Sequence, residues 1–391
     1  MRPVWQARPM VEPRYRWLPR PAAADPALVA AVRSWGASER VAAILAARGV
    51  ADPAAAATFF GEPTSALHDP GLLPDAATVV ERFRRARERG ERILVCGDFD
   101  ADGLTGLAIL VRACRSLGIE ALPYVPSRLE EGHGLSARAV EAALAVGATL
   151  IVTVDTGTTS GPEIAAAAAA GVDVIVTDHH RVPERLPPAM ATVNPHRPDA
   201  LYPDPRLAGS GVAYKVAELL LDALGEGRAA AIAWSDLATI GTVADLAPVL
   251  GENRAIARLG LATIAAGPRP GLAALLEVAG LGRRPVDLET VAFAIAPRLN
   301  AAGRIGEALE AARLLLTDDP VEAAELARRL ETANATRRDL TREVVEAARS
   351  AIPAGDGAAI VVRGPWPVGI VGLAAARLTE ETGRASCRER V

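Results

Sequence analysis

Between residues 93 and 194, short continuous apolar runs alternate with stretches of helical periodicity. The runs are ILVCG (93–97), ALPYV (121–125), LIVTV (150–154), VIVT (174–177) and ATVN (191–194), and the helical stretches lie near 105–117, 136–146 and 162–170. A strand that lacks polar alternation is buried on both faces. This rhythm therefore predicts βαβ units and a parallel sheet covered by helices on each side. Upstream, the Pro- and Arg-rich residues 1–30 predict an irregular arm. Ser38 caps a helix through about Arg48, Pro53 to Phe60 form a second, LHDPGLLPDA is a linker, and 75–89 is helical. From 210 onward the spacing turns helical, with helices expected near 211–224, 229–240, 254–266, 271–278, 287–295 and 307–316. A long charged helix follows from about 320 to 351, bounded by Pro320 and Pro353, of the kind that bridges two domains. AAIVVRG (358–364) predicts a strand and, with the segment after it, the start of a second α/β domain. The closing residues ASCRERV resemble neither a helix end nor a strand, and are expected to be a non-native tail on a truncated chain.

Composition narrows the picture. With 391 residues, half of them apolar and few aromatic, the chain can bury a sizeable aliphatic core in two or three domains. Lys215 is the only lysine, so most of the many arginines read as solvated helix faces. A net charge of -4 argues against bulk electrostatic binding of nucleic acid, while leaving room for a local basic groove. Cys96, Cys114 and Cys387 form neither a CxxC pair nor an even disulfide framework, which fits a reducing cytoplasm. No apolar run reaches membrane-spanning length, so no membrane partner is expected.

The candidate chemistry sits in four segments: GDFDADG, VDTG, TDHH and GTVAD. They hold Asp98, Asp100, Asp102, Asp155, Asp178, His179, His180 and Asp245. Three of the four directly follow a strand-like run, and ligands of open parallel sheets bind beyond the carboxyl ends of the strands. Carboxylates with imidazoles suit a hard-to-borderline divalent metal such as Mn²⁺ or Mg²⁺. Without a cation, so many crowded carboxylates would have to take up protons. GDFDADG superficially matches a calcium loop, but position twelve from Asp98 is Ile109 and a strand precedes it, so that reading fails. A strand-to-helix turn fits better, with Gly103 permitting the bend and Thr105 capping the helix. VDTG taken alone reads equally as a strand and an Asx turn, and Asp245 alone as a helix cap. APRLNAAGR (296–304) is either a connecting loop with solvated arginines or a phosphate clamp built on Arg298, Asn300 and Arg304. His133, in EEGHGL, packs or hydrogen-bonds in a loop, and His68 and His196 carry no clear signal.

GDFDADGLTG, VDTG, TDHH and GTVADLAP resemble the four acidic motifs of the DHH phosphoesterase superfamily. VPSRLEEGHGL, LAGSGVAYKVAELL and APRLNAAGRIGEALEAARLLLTDD extend the resemblance to its single-strand-specific exonucleases, over nearly all of residues 40–384. The resemblance implies a parallel-sheet DHH domain over 75–250 after an N-terminal region of 1–74. A helical extension would follow over 251–319, then a connecting helix over 320–353 and a partial DHHA1-like domain over 358–384, with 385–391 as the tail. It also implies two Mn²⁺ or Mg²⁺ ions, with Asp100, Asp102, Asp155, His179 and Asp245 as ligands and Asp98 at or near the site. His180 would contact the scissile phosphate, Asp178 would orient a histidine, and Arg298, Asn300 and Arg304 would line the DNA path. In WPVGIVGL the chain departs from the family, with Pro367 and Val368 where His and Pro are usual, which weakens the expected DNA contact there.

The implied activity is 5′ to 3′ hydrolysis of single-stranded DNA to mononucleotides in recombination and repair, with a helicase and a single-strand-binding protein as partners. Two ions about 3.5–4 Å apart, bridged by Asp155, would activate water and stabilise charge on the phosphate. The rival readings are a phosphodiesterase for short oligonucleotides or cyclic dinucleotides, and a non-catalytic DNA-binding scaffold of the same fold.

Overall fold

A computed structural model describes residues 24–352 and 360–382. The chain divides into two compact units, Met1–Ser65 and Ala66–Val391. In the first, α1 (Pro26–Ser34), α2 (Glu39–Ala46) and α3 (Pro53–Phe60) bury Leu28, Val32, Ala42, Leu45 and Ala56 against one another. α1 falls partly within the expected irregular arm. Asp25 caps its amino end, Pro26 opens it, and Leu28 and Val32, spaced four apart, give it a buried face.

The second unit opens with α4 (Ala76–Arg89) and then β1 (Arg92–Gly97), α5 (Ala101–Ser116), β2 (Glu120–Tyr124), α6 (Ala137–Ala145), β3 (Ala148–Val154), α7 (Gly161–Ala169), β4 (Asp173–Thr177) and β5 (Ala191–Val193). The five strands form one sheet in the order β2-β1-β3-β4-β5, and every pairing is parallel. The two-residue period of the strands sorts the core into two layers. Ile93, Val95, Leu150, Val152, Val154 and Ile175 face α4, α5 and the helices that follow the sheet, whereas Leu94, Cys96, Ile151, Val174 and Val176 face α6 and α7. The strand order reverses between β1 and β3. At such a switch point the flanking connections leave in opposite directions and open a crevice at the carboxyl edge.

The helical part comprises α8 (Gly209–Leu224), α9 (Ser235–Ala244), α10 (Gly251–Ala266), α11 (Pro270–Val278), the short α12 (Leu288–Thr290), α13 (Ala296–Ile305), α14 (Ala308–Leu316), α15 (Pro320–Ser350) and α16 (Val368–Thr382). Three expectations change here. α5 starts four residues earlier than its apolar spacing predicts, because Asp100 rather than Thr105 is its N-cap and accepts from Asp102 N and Gly103 N. Thr105 Oγ1 donates to Ala101 O inside the helix. Gly103 lies within α5 and is needed there for close approach, since a Cβ would sit 2.5 Å from Asp98 O. The expected helix over 287–295 becomes a π-helical turn, Val291–Ile295, that feeds α13, so APRLNAAGR is helical rather than a connecting loop. Pro297 is tolerated because it sits in the first turn, where the missing N–H has no helical partner to lose. Of the strand expected over 358–364, residues 360–364 are not extended into a sheet, and 358–359 lie outside the described residues, as do Pro353, Cys387 and the tail.

The single lysine is a core residue. Lys215 Nζ, fully buried on α8, pairs with Glu218, lies 3.0 Å from Glu252 Oε1 on α10 and donates to His68 O at 2.7 Å. Glu252 also accepts from His68 N and Tyr202 Oη, so one buried charge cluster ties the LHDPGLLPDA linker to two helices. Removing the cation alone strands two buried carboxylates. Lys215→Met should therefore destabilise the unit by about 3–5 kcal/mol, read as a lowered denaturation midpoint at constant m-value. A loss below about 1 kcal/mol would show that the carboxylates reach solvent or protons instead.

Candidate metal centre

The three strand-following segments converge where the topology predicts. Asp98 N bonds to Val154 O, Asp155 N to Thr177 O and Asp178 N to Val193 O, so each acidic segment continues the ladder by one residue beyond its strand. Their side chains then turn out over the carboxyl edge of the sheet. Asp155 does so with φ +60, a left-handed conformation that costs a non-glycine residue about 1–3 kcal/mol and persists only where the surroundings enforce it. The fourth segment arrives from α9, whose C-cap is Asp245.

Eight side chains meet here, and seven of them form three overlapping donor groups. Asp98, Asp100 and Asp155 make one; Asp102, His179 and Asp245 make another; Asp155, His179 and His180 make a third. Within each group the donor atoms lie within 4.8 Å of one another. His179 Nε2 lies 3.1 Å from Asp155 Oδ1 and 3.8 Å from Asp102 Oδ2, and its Nδ1 lies 3.9 Å from Asp245 Oδ2. His179 Nε2, Asp155 Oδ1 and Asp98 Oδ1 are all buried and make no hydrogen bond. Buried polar atoms without partners are costly, and three of them aimed into one cluster of carboxylates fit the coordination of divalent cations. The site passes that test on donor chemistry and on orphaned atoms together.

The electrostatics agree. Burial, followed by the neighbouring carboxylates, raises Asp155 well above the usual carboxylate range. Asp100 is raised by burial and by Asp98, and Asp245 by burial and by Asp102. Asp102 is also raised by burial, although His179 and Ser210 oppose it. Asp178 differs. Burial would raise it too, but His180, Thr158 and backbone N–H groups hold it down to about 2. Its Oδ1 accepts from His179 N at 2.8 Å, from His180 N at 3.1 Å and from His180 Nδ1 at 2.8 Å, and its Oδ2 accepts from Thr158 N at 3.1 Å. The same bond pushes His180 up to about 9, so its half-exposed ring carries positive charge across the neutral range.

Supporting contacts come from distant parts of the chain. The N-terminus of α8 donates Gly209 N (2.6 Å) and Ser210 N (2.9 Å) to Asp102, so a helix dipole meets a buried carboxylate. Two glycines leave room for this packing. A Cβ at Gly209 would sit 2.5 Å from the Asp155 Cβ, and one at Gly241 would sit 2.5 Å from Asp102 Oδ1. His133 Nδ1 lies 3.2 Å from Asp98 Oδ2, and its ring packs on Phe99, whose face Arg128 also covers. Asn194, buried after β5, donates to His180 O and Thr158 Oγ1. Nothing in its local sequence marked Asn194. The α8 N-terminus and His133 lay in segments that carry the family resemblance, without a role assigned to them, and His133 follows β2 at the same sheet edge.

α13 packs against the β1–α5 turn. Asn300 Oδ1 accepts from Ala101 N at 2.7 Å, and a Cβ at Gly303 would sit 2.3 Å from Phe99 O. Arg298 is buried, pairs with Glu331 on α15 and donates to Ala294 O. Arg304 donates to Gly369 O on α16. Arg337 is half-buried on α15 beside Arg298 and Arg338.

Comparison with known proteins places this architecture. Residues 92–242 match the DHH family, N-terminal domain. The chain is 36% identical over 343 residues to the single-stranded-DNA-specific exonuclease RecJ of Bacillus subtilis, covering 87% of this chain and 43% of that protein. It is 43% identical over 329 residues to the protein of the same name from Thermus thermophilus, covering 82% of this chain and 46% of that one. It thus spans about half the length of the curated relatives it matches. A crystal structure of exonuclease RecJ bound to manganese superposes with a TM-score of 0.72 at 40% identity, over 80% of this chain and 79% of that chain. Similarity of this extent, carried by the same sheet and helices that build the acidic cluster, makes the chain a member of the RecJ family.

Proposed function

We propose that this chain carries the phosphodiesterase centre of a metal-dependent exonuclease that hydrolyses single-stranded DNA from its 5′ end to mononucleotides. The single observation that carries the reading is the set of three overlapping donor groups at the sheet's switch point, with Asp155 common to two of them. Asp155 is shared by the group with Asp98 and Asp100 and the group with His179 and His180, and His179 in turn links to Asp102 and Asp245. These residues would hold two Mn²⁺ or Mg²⁺ ions with Asp155 common to both, and the bound cations would polarise a phosphodiester and acidify water.

The chain's own groups do the rest. Asp178 fixes the orientation and charge of His180, and the exposed imidazolium would face an anionic phosphate oxygen. The N-terminus of α8 keeps Asp102 in place. Asn300 anchors the turn that carries Asp98, Asp100 and Asp102. Arg298, Asn300 and Arg304 belong to the wall of the DNA path. The bond on the 3′ side of the terminal nucleotide breaks, leaving a 5′-phosphate on the shortened strand. The retained donor set speaks against a non-catalytic scaffold. A helicase and a single-strand-binding protein as partners, and action in the cytoplasm during recombination and repair, belong to the same proposal. Among the described residues no single helix is long and apolar enough to cross a membrane.

Two outcomes are expected. With Mn²⁺ and a 3′-labelled oligonucleotide, the chain should shorten the single strand from its 5′ end and spare the matching duplex. Asp155→Ala should lower the rate by more than the roughly 10–100-fold typical of residues that only support a ligand. Hydrolysis of a dinucleotide without shortening of the strand would instead favour a phosphodiesterase for short oligonucleotides. The second outcome concerns stability. Without a cation, Asp100, Asp102, Asp155 and Asp245 take up protons in the folded state that they release on unfolding. Their contribution to stability therefore falls as pH rises above the unfolded carboxylate value of about 3.9. Cations replace those protons. The gain in Tm on replacing EDTA by Mn²⁺ should be larger at about pH 7.5 than at about pH 5.5, and an equal gain at both would count against these carboxylates as ligands.

A further inference from the structure

α9 ends in a way no other helix of this unit does. Ala247 N bonds to Thr242 O at 3.1 Å and Leu246 N to Val243 O at 3.2 Å, the paired bonds of a Schellman motif with Leu246 in its left-handed position. Leu246 has φ +59. α4, α5, α6, α7, α8 and α11 also meet a left-handed residue at their carboxyl ends, and in each case it is glycine: Gly90, Gly118, Gly147, Gly171, Gly225 and Gly280. The other left-handed non-glycine residues among those described are Asp75 and Asp155, and aspartate tolerates this conformation through local hydrogen bonds. Leucine has no such compensation, and its branched side chain raises the strain.

Packing does not offset that strain. Leu246 is 87% exposed, the joint most exposed of the large hydrophobic residues described in this unit. A single exposed leucine is ordinary on a protein surface. A leucine that is both exposed and held in the left-handed region is not, because glycine at this position would remove both costs. Its place gives the reason a direction. Leu246 directly follows Asp245, whose carboxylate joins Asp102 and His179 in one donor group. Leu246 is therefore one residue from a proposed ligand, with its side chain in water until something apolar covers it.

We propose that Leu246 is a substrate-positioning residue. Its side chain is an apolar contact for the sugar or base face of the nucleotide whose phosphate lies over the acidic cluster. The inference rests on the proposed exonuclease reading and adds to it a source of grip that does not depend on charge. Phosphates and metal ligands hold the backbone of any strand. An apolar side chain beside them reads that a nucleoside is present and unstacked, which a single strand offers and a duplex withholds.

The test compares the unmodified chain with Leu246→Gly and Leu246→Met. Three quantities are measured: Tm in EDTA, kcat and KM on a single-stranded oligonucleotide with Mn²⁺, and binding of the same oligonucleotide by fluorescence anisotropy with Ca²⁺ in place of Mn²⁺. Leu246→Gly should raise Tm, because it relieves the left-handed strain, and yet weaken binding and raise KM by roughly tenfold, the scale of one buried leucine side chain. The loss should fall on KM more than on kcat. Leu246→Met keeps an apolar side chain and should restore most of the affinity without the gain in Tm. If Leu246→Gly binds and turns over the strand like the unmodified chain, the inference is overturned while the exonuclease reading stands. A lowered Tm for Leu246→Gly would also overturn it, since the leucine would then be packing within the protein. If the unmodified chain fails to cleave the strand at all, the exonuclease reading fails first, and the inference with it.

Discussion

Like-charge crowding at the carboxyl edge of the sheet is the constraint to which the rest of this structure answers. Asp98, Asp102, Asp155 and Asp178 are buried within one small volume, with Asp100 and Asp245 beside them. Left to themselves these groups repel one another and forfeit hydration, and most are driven toward the protonated form. The fold answers with fixed positive ends. The α8 N-terminus donates two N–H groups to Asp102, and the His180 side chain with three backbone N–H groups satisfies Asp178. Asp98 Oδ1 and Asp155 Oδ1 accept no hydrogen bond from the protein. What remains unsatisfied is therefore confined to the atoms a cation would take.

The division of labour between Asp155 and Asp178 shows how environment assigns roles to identical side chains. Both are almost fully buried and both follow a strand by one residue. Asp178 sits where the backbone turns its N–H groups inward, and it stays ionised down to about 2. Asp155 faces other carboxylates and a histidine, in a strained backbone conformation, and is pushed the other way. The first is suited to hold a neighbour still, the second to accept a cation. An aspartate after a strand does not by itself tell the two apart: His179 and His180, next to Asp178, and the distant Thr158 N hold Asp178 ionised, while the carboxylates that raise Asp155 come from the distant β1–α5 turn.

Much of the fold was legible because its signals are local. The five apolar runs became five parallel strands, and three of the four acidic segments were placed together by the rule that ligands bind beyond the carboxyl ends of parallel strands, while Asp245 joined them only through the resemblance. What was illegible depends on reach. The Gly209 and Ser210 bonds to Asp102 span more than a hundred residues, and His133 crosses from the β2 loop to Asp98. The APRLNAAGR segment, read as either a connecting loop or a phosphate clamp, is helical despite its Pro297 and Gly303. Proline in a first turn breaks nothing, and Gly303 is there so that α13 can touch the Phe99 backbone. The Glu331 partner of Arg298 lies on α15, beyond any window from which the charge balance of that arginine could be judged.

Three non-glycine residues among those described are left-handed: Asp75 at the amino end of α4, Asp155 within the acidic cluster and Leu246 directly after Asp245. At the carboxyl ends of six other helices of this unit the left-handed residue is glycine, in a chain that contains 34 glycines. A chain that has glycine at six helix ends and leucine directly after Asp245 has kept the costlier residue next to the acidic cluster. Strain at a functional site persists because the surrounding fold over-determines it. For Asp155 that surrounding is the β3–β4 ladder and the close approach of Gly209. For Leu246 it is the paired helix-end bonds of α9. In both cases the backbone is fixed by hydrogen bonds that would form with any side chain, which leaves the side chain free to be chosen for what it meets outside the protein.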